Sequence, residues 1–218
     1  MSKKIYAEFL GTFTLVLIGV GSIMTGKADL LGVALAHGLA IAVMIGAFAA
    51  SSGAHFNPAV SFAMLITRRM NISDFAAYVL AQLAGATVAA LILKAVYPAA
   101  VNAATGIGTP ALGAGVSTGN GLIVEIITTF LLVTIIFGLA VDKRTPFAGI
   151  ASISIGATIV LDILWAGPLT GAAMNPARWF GPAIASGNWG NGWIWIAGPL
   201  VGAAIAALAY ETLIKPEK

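Results

Sequence analysis

Two identical triplets, Asn57-Pro58-Ala59 and Asn175-Pro176-Ala177, stand 118 positions apart. Asparagine is a favoured helix N-cap and proline is favoured at the first helical position, so each triplet reads as the start of a helix. The cap uses the side-chain carbonyl and leaves an amide with two N–H donors for other work. Each triplet opens an apolar stretch of about a dozen residues, to about Thr67 and about Ser186, shorter than the roughly 20 needed to cross a bilayer. Arg178 follows the second triplet directly, and an arginine at bilayer depth costs several kcal/mol unless it faces water or partners. It therefore reads as projecting into an aqueous mouth, where it offers donors and repels cations, or as paired with loop carbonyls; the two roles are compatible. Among the other polar side chains in apolar surroundings, Glu8, His37, His55, Glu125 and Asp162 stand out. Without cysteine there are no disulfides, thiol nucleophiles or Cys-ligated metals. Neither His37 nor His55 belongs to a compelling serine–histidine–acid set, so an intramembrane hydrolase has little to work with, and no cofactor or metal is expected.

The elements that must hold these residues are read from hydropathy. The chain has 218 residues, 59% hydrophobic and 9% charged, with a mean hydropathy of +0.98, and a soluble domain does not have this composition. Its net charge of +3 does not mark a nucleic-acid binder, because the eleven basic residues lie scattered, mostly in pairs at segment ends, with no basic stripe. Windows long enough to span lie near 5–25, 31–51, 74–96, 119–141, 147–166 and 192–213, which makes six crossings, with the two stretches after the triplets re-entrant. The run from Ile5 to about Met24, after Lys3 and Lys4, reads as a retained first span rather than a cleaved signal. Four basic clusters, Lys3/Lys4, Arg68/Arg69, Lys143/Arg144 and Lys215/Lys218, are each separated by two full crossings. All fall on one side, which the positive-inside bias makes cytoplasmic, with both termini there; Lys27 and Lys94 are left near the opposite face.

The halves repeat. Glu8, Thr12 and Phe13 match Glu125, Thr129 and Phe130 at an offset of 117; Gly38 matches Gly156 and Gly53 matches Gly171 at 118; Gly85 matches Gly202 at 117. Three crossings per half is an odd number, so the second copy is inverted. The expected fold is a single all-α integral membrane domain, 1–218, with repeat 1 over about 1–98, an outer connection 99–118 rich in Gly, Ala and Thr, and repeat 2 over about 119–218. The two half-helices then enter from opposite faces, and their N-termini meet near the midplane, where non-helical backbone requires a cavity or burial in protein. Trp189, Trp193 and Trp195, at the start of the last span, read as an interfacial aromatic belt.

The segments GAHFNPAVS from Gly53 and GAAMNPAR from Gly171, with the paired AEFLGTF and VEIITTF, resemble the aquaporins or major intrinsic proteins, of the microbial type, over essentially the whole chain. The resemblance implies a plasma-membrane homotetramer with one pore per subunit, passing water and small neutral solutes and excluding protons and ions. In such pores the positive ends of two half-helices and the two Asn amides hold a central water by its oxygen, interrupting the proton wire. By spacing from the Asn residues, the family's constriction maps onto His37, Ile163, Ala172 and Arg178. Water-specific members have an aromatic at the first position and His at the second; here His and Ile stand there, a combination similar to plant tonoplast aquaporins, which implies passage of ammonia, urea or hydrogen peroxide beside water. Trp179 and Ala172 depart from the glycerol-channel pattern, while GPLTG from Gly167 resembles it. Glu8 and Glu125 are, by resemblance, supports for the loop backbones. His37 has the alternative of a plain interhelical hydrogen-bonder, His55 either faces the lumen or ties down its loop, and Asp162 has no assignment. A proton-coupled secondary transporter, with Glu8, Glu125, Asp162 or His37 as carriers, is the other reading of an inverted repeat with broken helices; the facing Asn donors oppose it, since they would exclude the coupling cation.

Overall fold

The structure, a computed structural model, describes residues 1–214, so the expected basic cluster Lys215/Lys218 lies outside the described residues. Six helices have the length and apolarity to cross a membrane: α1 (Ser2–Met24), α2 (Leu30–Ser52), α4 (Ile72–Val96), α6 (Thr118–Val141), α7 (Ala148–Thr170) and α9 (Ile194–Ile214). Between them lie the half-helices α3 (Pro58–Ile66) and α8 (Pro176–Ser186) and a short outer helix, α5 (Ala99–Thr105). The described residues contain no strand.

Local chemistry sets the ends of these helices. Asp29, Asn71 and Ser117 cap α2, α4 and α6 by accepting the backbone N–H of Gly32, Asp74 and Asn120 respectively. At the far ends of α2 and α7, Gly53 and Gly171 take the left-handed conformation, with φ of 84° and 80°, which turns the chain off the helix into the re-entrant loops. Helix α7 runs on to Thr170, past the expected end near 166, with Pro168 carried inside its last turn. Apolar side chains such as Leu39, Val43, Leu80, Ile153 and Leu161 point outward, as lipid rather than water requires.

Packing joins the two repeats instead of separating them. Helix α2 crosses α7 at Gly38 and Gly156, where a Cβ on either glycine would lie 2.4 Å from the other's carbonyl oxygen. Within the halves, α1 packs on α4 and α6 on α9 in equivalent ways. The half-helices are exchanged: α8 of the second repeat packs mainly against α4 of the first, and α3 of the first mainly against α9 of the second. Each half-helix is thus held chiefly by the opposite repeat, and neither loop can be positioned without both.

The outer connection contains α5, an Ala-rich helix begun after Pro98. One feature differs from the sequence reading. Trp195 is not part of an interfacial belt: it is 1% exposed, against 50% for Trp189 and 51% for Trp193. Its indole N–H donates to the Thr170 carbonyl at 3.1 Å and its ring stacks on Trp179 with the planes 7° apart. An indole whose polar atom finds a partner is stable in a core, and spacing along a helix end cannot distinguish that from an interfacial ring.

At one end of the bundle Lys4 faces Asp74 at 3.7 Å, Arg69 pairs with Glu211 at 2.5 Å, and Arg144 pairs with Asp142 at 2.5 Å while also reaching the Ile214 carbonyl. Three of the basic clusters therefore share one face. Hydrogen bonds from Arg144 and Tyr210 hold the Asp142 carboxyl well below the usual carboxylate range. The clasp they form ties the 142–147 turn to the end of α9.

Candidate functional site

The site is built from two re-entrant loops with matching backbones. Residues Ala54 and Phe56 in the first, and Ala172 and Met174 in the second, all have positive φ, between 44° and 54°. Each such non-glycine residue costs about 1–2 kcal/mol. What holds them is a buried carboxylate in each half. Glu8 accepts hydrogen bonds from Ser52 Oγ, His55 N and Phe56 N at 2.6, 3.0 and 2.7 Å, and from Gln82 Nε2 at 2.8 Å. Glu125 accepts from Thr170 Oγ1, Ala173 N and Met174 N at 2.7, 3.0 and 2.8 Å. Hydrogen bonds to a charged acceptor contribute about 1.5–3 kcal/mol each, enough to offset the loop strain. Both carboxylates are fully buried.

At the tips, Asn57 and Asn175 cap α3 and α8. The Oδ1 of Asn57 accepts from Ala59 N at 2.8 Å, and that of Asn175 accepts from Ala177 N at 2.9 Å and Arg178 N at 3.3 Å. Their amides then cross over: Asn57 Nδ2 donates to the Met174 carbonyl at 2.8 Å and Asn175 Nδ2 to the Phe56 carbonyl at 2.9 Å. Each amide nitrogen has two hydrogens. One is used on the opposite loop, and the other is left for the cavity that both residues line. Pro58 and Pro176 occupy the first helical position, and Ala59 and Ala177 are fully buried behind them.

That cavity, about 680 Å³, runs from His37 and Arg178 past Asn57 and Asn175 to Arg69 and Lys143 at the basic end. A second, of about 230 Å³, opens at the other end beside Leu30, Thr105 and Pro110. The two cavities share His37, Ile163 and Arg178, so the lumen is divided there; Ala172 lines the larger one just inside. His37 is fixed by Nδ1, 2.8 Å from the Val33 carbonyl, which as an acceptor requires the proton on Nδ1 and leaves Nε2 as a lone pair. Arg178 Nη2 lies 3.4 Å from that Nε2, and Nη1 donates to the Gly108 carbonyl at 2.9 Å. Its Nε has no protein partner among the described residues. Gly19 leaves the room for the His37 ring: a Cβ there would be 2.5 Å from it, and the surrounding Leu15–Val20 stretch of α1 is π-helical.

The remaining polar residues separate into those that reach the lumen and those that do not. His55 lines the cavity, and its Nδ1 lies 3.0 Å from Ser61 Oγ at the start of α3. Asp162 is 2% exposed and its Oδ2 has no partner among the described residues, but only its neighbours Ile159 and Ile163 line the cavity. Glu8 and Glu125 do not line it either. Of the four candidate proton carriers, only His37 therefore faces the path. No group of three or more His, Cys, Asp or Glu that would hold a metal occurs among the described residues.

Several residues of this site escaped the sequence. Ser52 and Thr170 are equivalent at the repeat offset, and that offset was the signal that would have found them. Gln82, which bridges Glu8 and Ser61, has no counterpart, since the equivalent position is Pro199. Gly108 serves Arg178 through its backbone, and Trp179 is clamped between Trp195 and Trp189 behind Arg178.

Comparison with known proteins gives one family. The model of the family Major intrinsic protein matches residues 1–210. Aquaporin-4 of Mus musculus is 41% identical over 222 residues, covering 99% of this chain and 68% of that protein. Aquaporin TIP4-4 of Zea mays is 40% identical, covering 97% of this chain and 86% of that protein, and Aquaporin NIP1-1 of Zea mays is 41% identical, covering 97% and 74%. Among solved structures, the aquaglyceroporin from Plasmodium falciparum superposes with a TM-score of 0.87 at 26% identity, covering 99% of this chain and 97% of that one.

Proposed function

The chain belongs to the major intrinsic protein family and is a passive membrane channel for water and small solutes; we propose that two barriers in series set what passes. The first is the crossed Asn57–Asn175 pair, where two helix N-termini, each worth roughly half a positive charge, and two free amide hydrogens converge on one stretch of lumen. A water there accepts from both amides, so its own hydrogens point away from the pair and no proton hops through. The second is the constriction of His37, Ile163, Ala172 and Arg178. Arg178 repels cations and offers its remaining guanidinium hydrogens to the permeant, His37 offers the Nε2 lone pair, and Ile163 supplies an apolar wall.

The observation that carries this reading is the exchange of hydrogen bonds between the loops, Asn57 to Met174 and Asn175 to Phe56, which fixes both amides at one lumen. The wall at Ile163, in place of a second imidazole, favours ammonia, urea, hydrogen peroxide or glycerol as additional permeants. A proton-coupled transporter is disfavoured because Glu8, Glu125 and Asp162 stand off the path. The family likeness also supports a homotetramer in the plasma membrane, with Lys3, Lys4, Arg69 and Arg144 on the cytoplasmic side and both termini there. Stopped-flow shrinkage of proteoliposomes tests the reading: a channel speeds water flux with no ion gradient and solute flux with none, whereas osmotic permeability equal to that of bare lipid would contradict it.

A further inference from the structure

Lys94 is one of two cations stranded at the end of the bundle away from the basic clusters. Its Nζ donates to the Ala185 carbonyl at 2.7 Å, in the last turn of half-helix α8. At the opposite end, Arg69 Nη1 donates to the Thr67 carbonyl at 3.3 Å, at the C-cap of half-helix α3. Arg69 is held in turn by Glu211 at 2.5 Å and lies 5.4 Å from the centre of the Phe137 ring.

Thr67 and Ala185 are equivalent positions of the two repeats, at an offset of 118, but their cations are not. The position equivalent to Lys94 is Glu211, and the one equivalent to Arg69 is Gly187. The same carbonyl in each half is thus capped by a cation brought from a different element, by α4 for α8 and by the chain just beyond α3 for α3. Descent from a common repeat does not produce that pairing. A demand shared by both half-helices does.

The demand follows from the dipole. A half-helix presents a positive N-terminus to the pore centre and a negative C-terminus to the far end, and the two partly cancel over so short a helix. Resting on the reading above that the N-termini exclude cations, we propose that Lys94 is a positioning residue for the pore centre: it neutralises the C-terminal end of α8 and leaves the positive end at Asn175 uncancelled, whereas Arg69, whose charge is matched by Glu211, caps α3 through its hydrogen bond alone. The 11 residues of α8 put Lys94 about 16 Å from Asn175 at about 1.5 Å per residue. A unit charge at that distance, in an effective dielectric near 20, changes the local population of a monovalent cation about fivefold.

The test is proton flux, read with an entrapped pH dye, and water flux, read by osmotic shrinkage, in proteoliposomes of one density. Wild type and Arg178→Ala are the parents, the latter to lower the outer barrier. Adding Lys94→Met to Arg178→Ala is expected to raise proton flux about fivefold with water flux within twofold. Lys94→Arg is expected to restore the parent value, and Lys94→Gln, which keeps a hydrogen-bond donor without charge, to leak like the methionine variant. Retained water flux reports that each variant is folded, and Lys94→Gln decides if the methionine variant is not. The proposal is overturned if the neutral variants conduct protons no faster than the Arg178→Ala parent, or if Lys94→Arg leaks as they do. Failure of the channel reading itself shows separately, as wild-type water flux no faster than bare lipid.

Discussion

Replacing Glu125 by glutamine removes one negative charge and changes nothing in size, yet the geometry leaves no orientation of the new amide that satisfies the loop. One carboxylate oxygen takes Thr170 Oγ1 and Ala173 N, the other takes Met174 N. Whichever oxygen becomes NH2, it meets a backbone N–H, donor against donor, while the surviving carbonyl loses the charge that strengthened its bonds. A hydrogen bond to a charged acceptor is worth about 1.5–3 kcal/mol, and a buried N–H left unpaired costs about 1–3 kcal/mol. The loss of about 3 kcal/mol or more falls on a loop that already carries Ala172 and Met174 at positive φ, with no spare stability to absorb it. Release of Met174 also withdraws the acceptor of Asn57. Glu125→Gln is therefore expected to lower osmotic permeability per channel at least several-fold in stopped-flow proteoliposomes and to lower the unfolding midpoint in detergent. Glu8→Gln is expected to be milder, because the unpartnered Oε1 of Gln82 can turn to accept from the new amide. Wild-type permeability and midpoint in Glu125→Gln would refute the claim that this carboxylate holds the loop.

Exchanging the constriction pair, His37→Phe with Ile163→His, narrows the lumen where the two cavities meet and returns a polar atom to the apolar wall. Urea and ammonia fluxes measured by proteoliposome swelling are expected to fall about tenfold relative to water, a size of effect typical of one added steric group in a pocket. Mercurials are expected to leave water flux unchanged, since the chain has no cysteine and Ala172 lines the larger cavity just inside its division from the smaller one, and thiol-reversible inhibition would contradict that placement. Asp142, with its carboxyl held below the usual range by Arg144 and Tyr210, contributes stability that is present above about pH 4 and is lost only as pH falls toward its depressed value. Hydrogen-exchange protection of residues 142–147 is accordingly expected to be the same at pH 7 and pH 5 and to drop a few-fold in Asp142→Asn.

The six spans and two half-helices were legible because lipid imposes one rule, an apolar run of sufficient length, and because Asn-Pro marks a helix start wherever it occurs. The inverted arrangement followed from three crossings per half. What stayed hidden was whatever depends on backbone shape. Ala54, Phe56, Ala172 and Met174 are ordinary residue types, and nothing in their identity announces a left-handed conformation. Gly108 contributes only a carbonyl to Arg178, and Gln82 has no repeat partner to expose it. Trp195 illustrates a different limit. A tryptophan near a span end suits both an interface and a core, and the choice was made by the Thr170 carbonyl, 25 residues away in the chain. Lys94 stood out as an exception to the charge pattern, and the carbonyl that explains it lies 91 residues further on.

The most direct test of the account is water and proton flux measured on the same wild-type proteoliposomes. Crossed amides at Asn57 and Asn175, backed by two helix N-termini, predict osmotic permeability far above that of bare lipid with proton flux indistinguishable from it. Proton flux that rises in proportion to the amount of protein reconstituted would contradict it.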